Sequence, residues 1–340
     1  MNAPAGLAVN RIPATIVTGF LGAGKTTLIR NLVAKAGGKR IAIIVNEFGD
    51  MGFDGSLLSD CGDADCRPDT IVELANGCIC CTVADEFLPT MEALLARDPA
   101  PDHIVIETSG LALPQPLVRA FSWPTVKHRV TVDGVVTVVD AAAFAAGTMG
   151  DMAGPEVPKP EGHDDPIEEL FEDQLRCADL IIVNKAQLVS DANLAAVDEV
   201  IQREARPGTA TLRGSPDGLS PEILLGIAAA TENHMTGRES HHDLEGEEHD
   251  HDDFTSFVVA LPPVASLNDL RARIGKTLAL PGVLRVKGRV TVEGKPAPAV
   301  IQAVGPRIES YFAPGTEATG LVVIGLRDID RDAVTKILQG

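Results

Sequence analysis

Two rhythms of apolar residues divide the chain. In the first two thirds, residues 14–18, 41–45, 104–108, 134–140, 180–183 and 209–212 are short runs dominated by apolar and β-branched side chains. Such runs are the signature of strands buried on both faces of a parallel sheet. Between them, residues 27–35, 83–97, 114–121, 166–177 and 221–230 place apolar residues at helical spacing. Strand alternating with helix predicts βαβ units, an α/β domain with a mainly parallel sheet and helices on both faces. After residue 253 the rhythm changes. Residues 254–260, 283–287, 289–292, 300–305, 308–312 and 321–325 read as strands, with helices only at 266–278 and 330–338. That pattern predicts a smaller C-terminal α+β domain.

The stretch between the two patterns, residues 239–253, holds eight carboxylates, four histidines and no Lys or Arg. It lacks the apolar surface to bury and predicts a disordered linker. The expected organisation is an α/β domain over 1–235, a linker over 236–253 and an α+β domain over 254–340. A chain of 340 residues with 45% hydrophobic and 23% charged residues can bury a substantial core in each. The formal net charge of −19 argues against nucleic acid as a partner, which needs clustered Lys and Arg. No apolar run approaches a membrane span of about 20 residues, and the N-terminus lacks a charged start followed by an apolar core. A cytoplasmic protein with no membrane partner is expected.

Chemistry concentrates where strands end. After the first apolar run, Gly19, Gly22, Ala23, Gly24, Lys25, Thr26 and Thr27 complete a GxxxxGK[ST] spacing. Glycines let successive N–H groups curl toward phosphate oxygens, and the following helix adds its positive end. Lys25 is expected to reach the β- and γ-phosphates, and Thr26 to offer a hydroxyl to Mg²⁺. This predicts a P-loop domain that binds a nucleoside triphosphate. Glu47 and Asp50 follow the second run, where open α/β sheets bind ligands, and are candidates to sense Mg²⁺ or the γ-phosphate. Glu107 lies at the end of the third run, 104–108, beside the loop, the position of a Walker B acid for Mg²⁺. Lys25, Asp50 and Glu107 form the expected hydrolytic set. No water-positioning residue or arginine finger is assigned, so hydrolysis is expected to be slow. Asn184, Lys185 and Gln187 occupy the place where GTPases carry NKxD. Gln in place of Asp removes a charge-assisted bidentate contact to guanine, which costs roughly 1.5–3 kcal/mol of base discrimination.

Five of six cysteines, Cys61, Cys66, Cys78, Cys80 and Cys81, fall within 21 positions. Clustered thiols in a reducing compartment point to metal or redox chemistry rather than to a disulfide framework. The CxCC of Cys78, Cys80 and Cys81 precedes a helical pattern, whose dipole favours thiolate. His241, His242, His249 and His251 in the acidic tract suggest weak accessory metal binding. Cys61 and Cys66 fit a second metal site, a redox pair or plain loop residues. Arg285, Lys287 and Arg289 of the C-terminal module face either the first domain or a partner.

Taken together, GFLGAGKTT, NEFGD, NGCICC, ETSG, NKAQ, the His-rich tract and the C-terminal RVKG and IQAVG resemble the CobW-type metal-handling P-loop GTPases over nearly the entire chain. The stretch containing Cys61 and Cys66 draws the resemblance toward the branch linked to cobalt supply for cobalamin biosynthesis. The resemblance implies a GTP hydrolase and metallochaperone. Mg²⁺ and GTP bind, the CxCC takes Co²⁺, and hydrolysis releases it to a client such as a cobaltochelatase. Zn²⁺ is the alternative cargo within the family, and the protein would be a monomer or a nucleotide- or metal-dependent dimer. Two readings of other kinds are a zinc buffer and a metal-independent NTPase with a redox-active CxCC.

Overall fold

The computed structural model describes residues 11–46, 71–74, 87–147, 166–215, 218–241, 243, 254–305, 307–313 and 320–340. Seven parallel strands form the first sheet: β1 (Ile12–Thr18), β2 (Ile41–Asn46), β3 (Ile71–Leu74), β4 (His103–Glu107), β5 (Val130–Asp140), β6 (Leu180–Asn184) and β7 (Ala210–Arg213). Their spatial order is β3-β2-β4-β1-β5-β6-β7. The β-branched runs of β1, β4 and β6 are buried on both faces because helices cover both.

On one face α1 (Lys25–Ala34) packs Leu28, Ile29 and Leu32 against Val17, Val136 and Val138. The short α7 (Pro221–Leu224) adds Leu224 to that cluster. The opposite face carries α2 (Leu88–Leu95), α3 (Pro114–Ala120), α4 (Ala141–Ala145), α5 (Pro166–Cys177) and α6 (Asp191–Glu204). The second sheet is antiparallel, in the order β11-β10-β9-β12-β8. Its strands are β8 (Phe254–Val259), β9 (Val283–Val290), β10 (Ala299–Val304), β11 (Arg307–Phe312) and β12 (Gly320–Leu326). Helices α8 (Leu267–Leu278) and α9 (Arg331–Gln339) cover one side through Leu270, Ile274, Val334 and Leu338. The other side turns toward the first sheet. Val322 and Ile324 of β12 share a core with Phe20, Leu21 and Leu111, at the end of the first sheet where the P-loop lies.

Four sequence expectations change. The helix expected over 221–230 stops at Leu224 because the buried Asp133 carboxylate takes the next amides. It accepts from Gly226 (2.6 Å), Ile227 (3.1 Å) and Ala228 (2.9 Å). Residues 283–287 and 289–292, read as two strands, are a single β9 running through Gly288. A Cβ there would lie 2.2 Å from the Gly320 carbonyl, so glycine marks a close backbone approach rather than a break. Residues 141–166 are rich in Gly, Pro and Asp, which predicts a loop, yet the segment begins with α4, capped by Asp140.

Finally, residues 236–241, placed with the disordered linker, are docked. Arg238 is buried and donates to the Cys177 carbonyl and to Asp179, and Arg119 holds Asp243. Composition alone misjudged this segment, because its charges find fixed partners on α3 and α5. Among the described residues no helix is long and apolar enough to cross a membrane.

Candidate functional site

The phosphate loop follows β1, and its glycines fit their places for separate reasons. Gly19 has φ +131°, and a Cβ there would meet the Val138 carbonyl oxygen at 2.2 Å. Gly24 caps α1 at φ +105°, and its Cβ would lie 2.5 Å from Asn184 Nδ2. That Asn184 amide donates to the Ala23 carbonyl at 2.8 Å, pinning β6 to the loop. The chain segment assigned to base recognition therefore also braces the phosphate cradle. Lys25 is buried, with Nζ donating to the carbonyls of Gly19 (2.7 Å) and Phe20 (3.3 Å).

Parallel register sets Glu107 opposite Val17, one strand from the loop. Thr26 Oγ1 donates to Glu107 Oε1 at 2.7 Å. A hydroxyl and a carboxylate side by side at a triphosphate cradle are the hard oxygen donors that Mg²⁺ takes. The residues present thus fit both groups: Gly22, Gly24, Lys25, Thr26 and Thr27 a polyphosphate, Thr26 and Glu107 its Mg²⁺.

Lys185 sits in the left-handed region at φ 59°. It is held there by its amide donating to Asn184 Oδ1 (2.8 Å) and by Nζ donating to the Gly22 carbonyl (2.6 Å) and Asp140 Oδ2 (2.7 Å). Burial pulls its ammonium below the usual lysine value, and Asp140 opposes that. Gln187 lies on the following turn, exposed, and lines the cleft with Ser215 from the loop after β7. Gly19 and Ala23 shape the loop from behind and do not line the cleft.

Sequence reading missed Asp140 and an entire wall. Asp140 is wholly buried at the end of β5. Its Oδ1 accepts from the amides of Ala142 and Ala143, and its Oδ2 from Lys185 and from Arg307 of β11 (2.6 Å). The strand-ending acid was visible in the sequence; its partners, 45 and 167 residues away, were not. Arg285, Gln302, Val304, Arg307, Glu309 and Tyr311 of the C-terminal sheet close the cleft, which has a volume of about 450 Å³. The question left open for Arg285, Lys287 and Arg289 is answered by alternation along β9. Val286 and Val290 join the core under α8 and α9, so the basic residues project toward the first domain. Lys287 is buried, and burial, reinforced by Lys25, lowers its ammonium to about 7.

Glu47, Asp50, Cys61, Cys66, Cys78, Cys80, Cys81, His242, His249 and His251 lie outside the described residues. His241 is committed elsewhere. Its Nδ1 lies 3.0 Å from Asp173 and its Nε2 3.2 Å from Glu172, with Arg176 beside it. The hydrogen bond its ring donates to Asp173 raises its pKa against the effect of burial, so its role in the structure is an ion pair on α5. The sixth cysteine, Cys177, is buried, and burial pushes its thiol up to about 12, which makes it inert.

The comparisons with known proteins agree with this architecture. A family model described as the CobW/HypB/UreG nucleotide-binding domain matches residues 13–212, and one described as the cobalamin synthesis protein cobW C-terminal domain matches residues 254–340. The chain is 53% identical over 338 residues to the zinc chaperone CobW of Sinorhizobium sp., covering 95% of each. It is 45% identical over 345 residues to the zinc chaperone CobW of Pseudomonas aeruginosa, covering 97% of this chain and 91% of that one. It is 29% identical over 310 residues to the zinc chaperone YjiA of Escherichia coli, covering 87% of each. Matched by these models over its phosphate-loop domain and its C-terminal sheet, this chain belongs to the CobW/HypB/UreG family of P-loop GTPases and carries the CobW C-terminal domain.

Proposed function

We propose that the protein is a GTP-dependent metallochaperone whose cargo is Zn²⁺. The observation that carries the nucleotide half is the contact between Thr26 and Glu107 at the mouth of a phosphate loop. In that arrangement Lys25 and the loop amides hold the β- and γ-phosphates. Thr26 and Glu107 would hold Mg²⁺, which would supply charge neutralisation at the phosphates. Asn184, Lys185, Gln187 and Ser215 line the side of the cleft that takes the base, with guanine as the family's nucleotide.

For the cargo, the sequence reading favoured Co²⁺ with Zn²⁺ as the alternative. The names of the relatives at 53% and 45% identity support zinc. Thiolates also hold Zn²⁺ more tightly than Co²⁺. Cys78, Cys80 and Cys81 are the proposed cargo ligands. They begin four residues beyond Leu74, the end of β3, and β3 runs parallel to β2 and therefore ends at the same edge of the sheet as the phosphate loop. Nucleotide state is proposed to govern release to a client protein through the chain that follows β2 and β3 at that edge.

The test is a Zn²⁺ titration of the reduced protein against a chromophoric chelator, with and without Mg²⁺ and GTP, repeated with Co²⁺ and with Cys80→Ala. Tight binding that requires Mg²⁺ and GTP, prefers Zn²⁺ and disappears in the variant is the expected result. Equal affinity with and without nucleotide refutes the coupling, and a preference for Co²⁺ overturns the cargo.

A further inference from the structure

We infer that Arg307, on the edge strand of the C-terminal sheet, is a ligand of the bound nucleotide's polyphosphate, and that nucleotide binding thereby fastens the two domains together. The inference rests on the nucleotide reading above and names a residue of that same site.

Three observations converge on it. The first is position. The tip of the phosphate loop touches the C-terminal sheet, since a Cβ on Gly22 would lie 3.0 Å from the Val304 side chain at the end of β10. Arg307 begins the antiparallel neighbour β11, paired with Val304, and so stands directly beside that contact.

The second is how its guanidinium is held. It donates to Asp140 Oδ2 at 2.6 Å, the same oxygen that accepts Lys185 Nζ, while Lys185 also donates to the Gly22 carbonyl. Arg307, Asp140, Lys185 and Gly22 thus form one chain of contacts from the C-terminal sheet to the phosphate loop. Asp140 is wholly buried, whereas the Arg307 side chain keeps 30% of its surface exposed and lines the cleft. A guanidinium presents five N–H donors in a planar fork. It can keep Asp140 and add a phosphate oxygen, the pairing for which arginine is suited.

The third is charge. The whole chain carries a formal −19, yet among the described residues the cleft is lined by Lys25, Arg30, Lys185, Arg285 and Arg307 against Glu107 and Glu309. Two of the five cations come from the C-terminal sheet. A cationic cleft in so acidic a protein fits a polyanion, and the second domain supplies part of the fit.

The experiment measures GDP and GTP affinities by calorimetry for the full-length wild type, Arg307→Gln and Arg307→Lys, with hydrogen exchange of β11 amides in the wild type with and without GDP. A charge-assisted contact predicts affinities for both nucleotides at least about tenfold weaker in the Gln variant, with part of the loss recovered by Lys. The wild-type β11 amides are expected to exchange more slowly with GDP bound. That readout needs no variant to fold and reports the fastening of the C-terminal sheet, while the affinities of the Gln and Lys variants attribute it to Arg307. Wild-type affinities in Arg307→Gln together with unchanged β11 exchange overturn the inference while leaving the nucleotide site standing. A wild type that binds neither nucleotide overturns both.

Discussion

Asp140→Asn isolates a single charge at the junction of the two domains. The amide oxygen that replaces Oδ1 still accepts from Ala142 (3.0 Å) and Ala143 (3.1 Å), and Asn caps helices as well as Asp does. What the substitution removes is the negative charge between Lys185 Nζ at 2.7 Å and Arg307 at 2.6 Å. Two cations then face each other across a neutral, buried group. Removing one partner of a fully buried ion pair costs roughly 3–5 kcal/mol. Here Lys185 and Arg307 keep 17% and 30% of their side-chain surface. Water takes up part of the stranded charge, so we expect a loss of about 2–3 kcal/mol. Urea unfolding read from the transition midpoint measures it. Because the charge is shared, Arg307→Gln in the Asn background costs less than in the wild type, with a coupling of about 1 kcal/mol or more. A loss below about 0.5 kcal/mol, or strictly additive single variants, refutes the idea that Asp140 ties the domains together.

Three further outcomes follow from the geometry. Gly24→Ala forces a Cβ into Asn184 at φ +105°; the strain and the displaced Asn184 hydrogen bond together cost about 2–3 kcal/mol, read as GDP affinity lower by about 30-fold or more. Wild-type affinity in that variant would show that the loop relaxes freely. Glu107→Gln is expected to weaken Mg²⁺ binding to the nucleotide complex by about 10–100-fold while GDP binding in chelator stays unchanged, measured by Mg²⁺ titration of turnover. His241 has its pKa raised in the folded protein, chiefly by Asp173, so its contribution to stability is complete below its unfolded value of about 6.5 and fades as pH rises through the raised value. His241→Gln is therefore expected to destabilise by up to about 1 kcal/mol at pH 6 and by much less at pH 9, and a pH-independent effect in thermal melts contradicts the ion pair with α5.

Local physics made much of this protein legible in its sequence. Fully apolar strand-length runs can be satisfied only by burial on both faces, so β1, β2, β4 and β6 and their parallel arrangement were readable. The glycine spacing before α1 has one economical explanation, and an acid at the end of the adjacent strand followed from it, so Lys25, Thr26 and Glu107 were found together. Composition misled where charge has fixed partners: the acidic segment through Asp243 was read as disordered, because no sequence window reveals that Arg119 and Arg176 await it. Periodicity misled at Gly288, where a glycine that breaks most strands serves a close backbone approach.

What only the tertiary structure decided is which distant residues share the cleft. Asp140, Lys185 and Arg307 stand on β5, β6 and β11, and each was visible alone as a strand-end acid, a motif lysine and an isolated arginine. Their convergence depends on strand order in two sheets and on how an antiparallel sheet, its other side occupied by α8 and α9, lays its remaining face over the phosphate loop. Burial of Val322 and Ile324 against Phe20 and Leu21 sets that docking. Apolar contact is non-directional, and a chain's own pattern records that a face must be covered without recording by what.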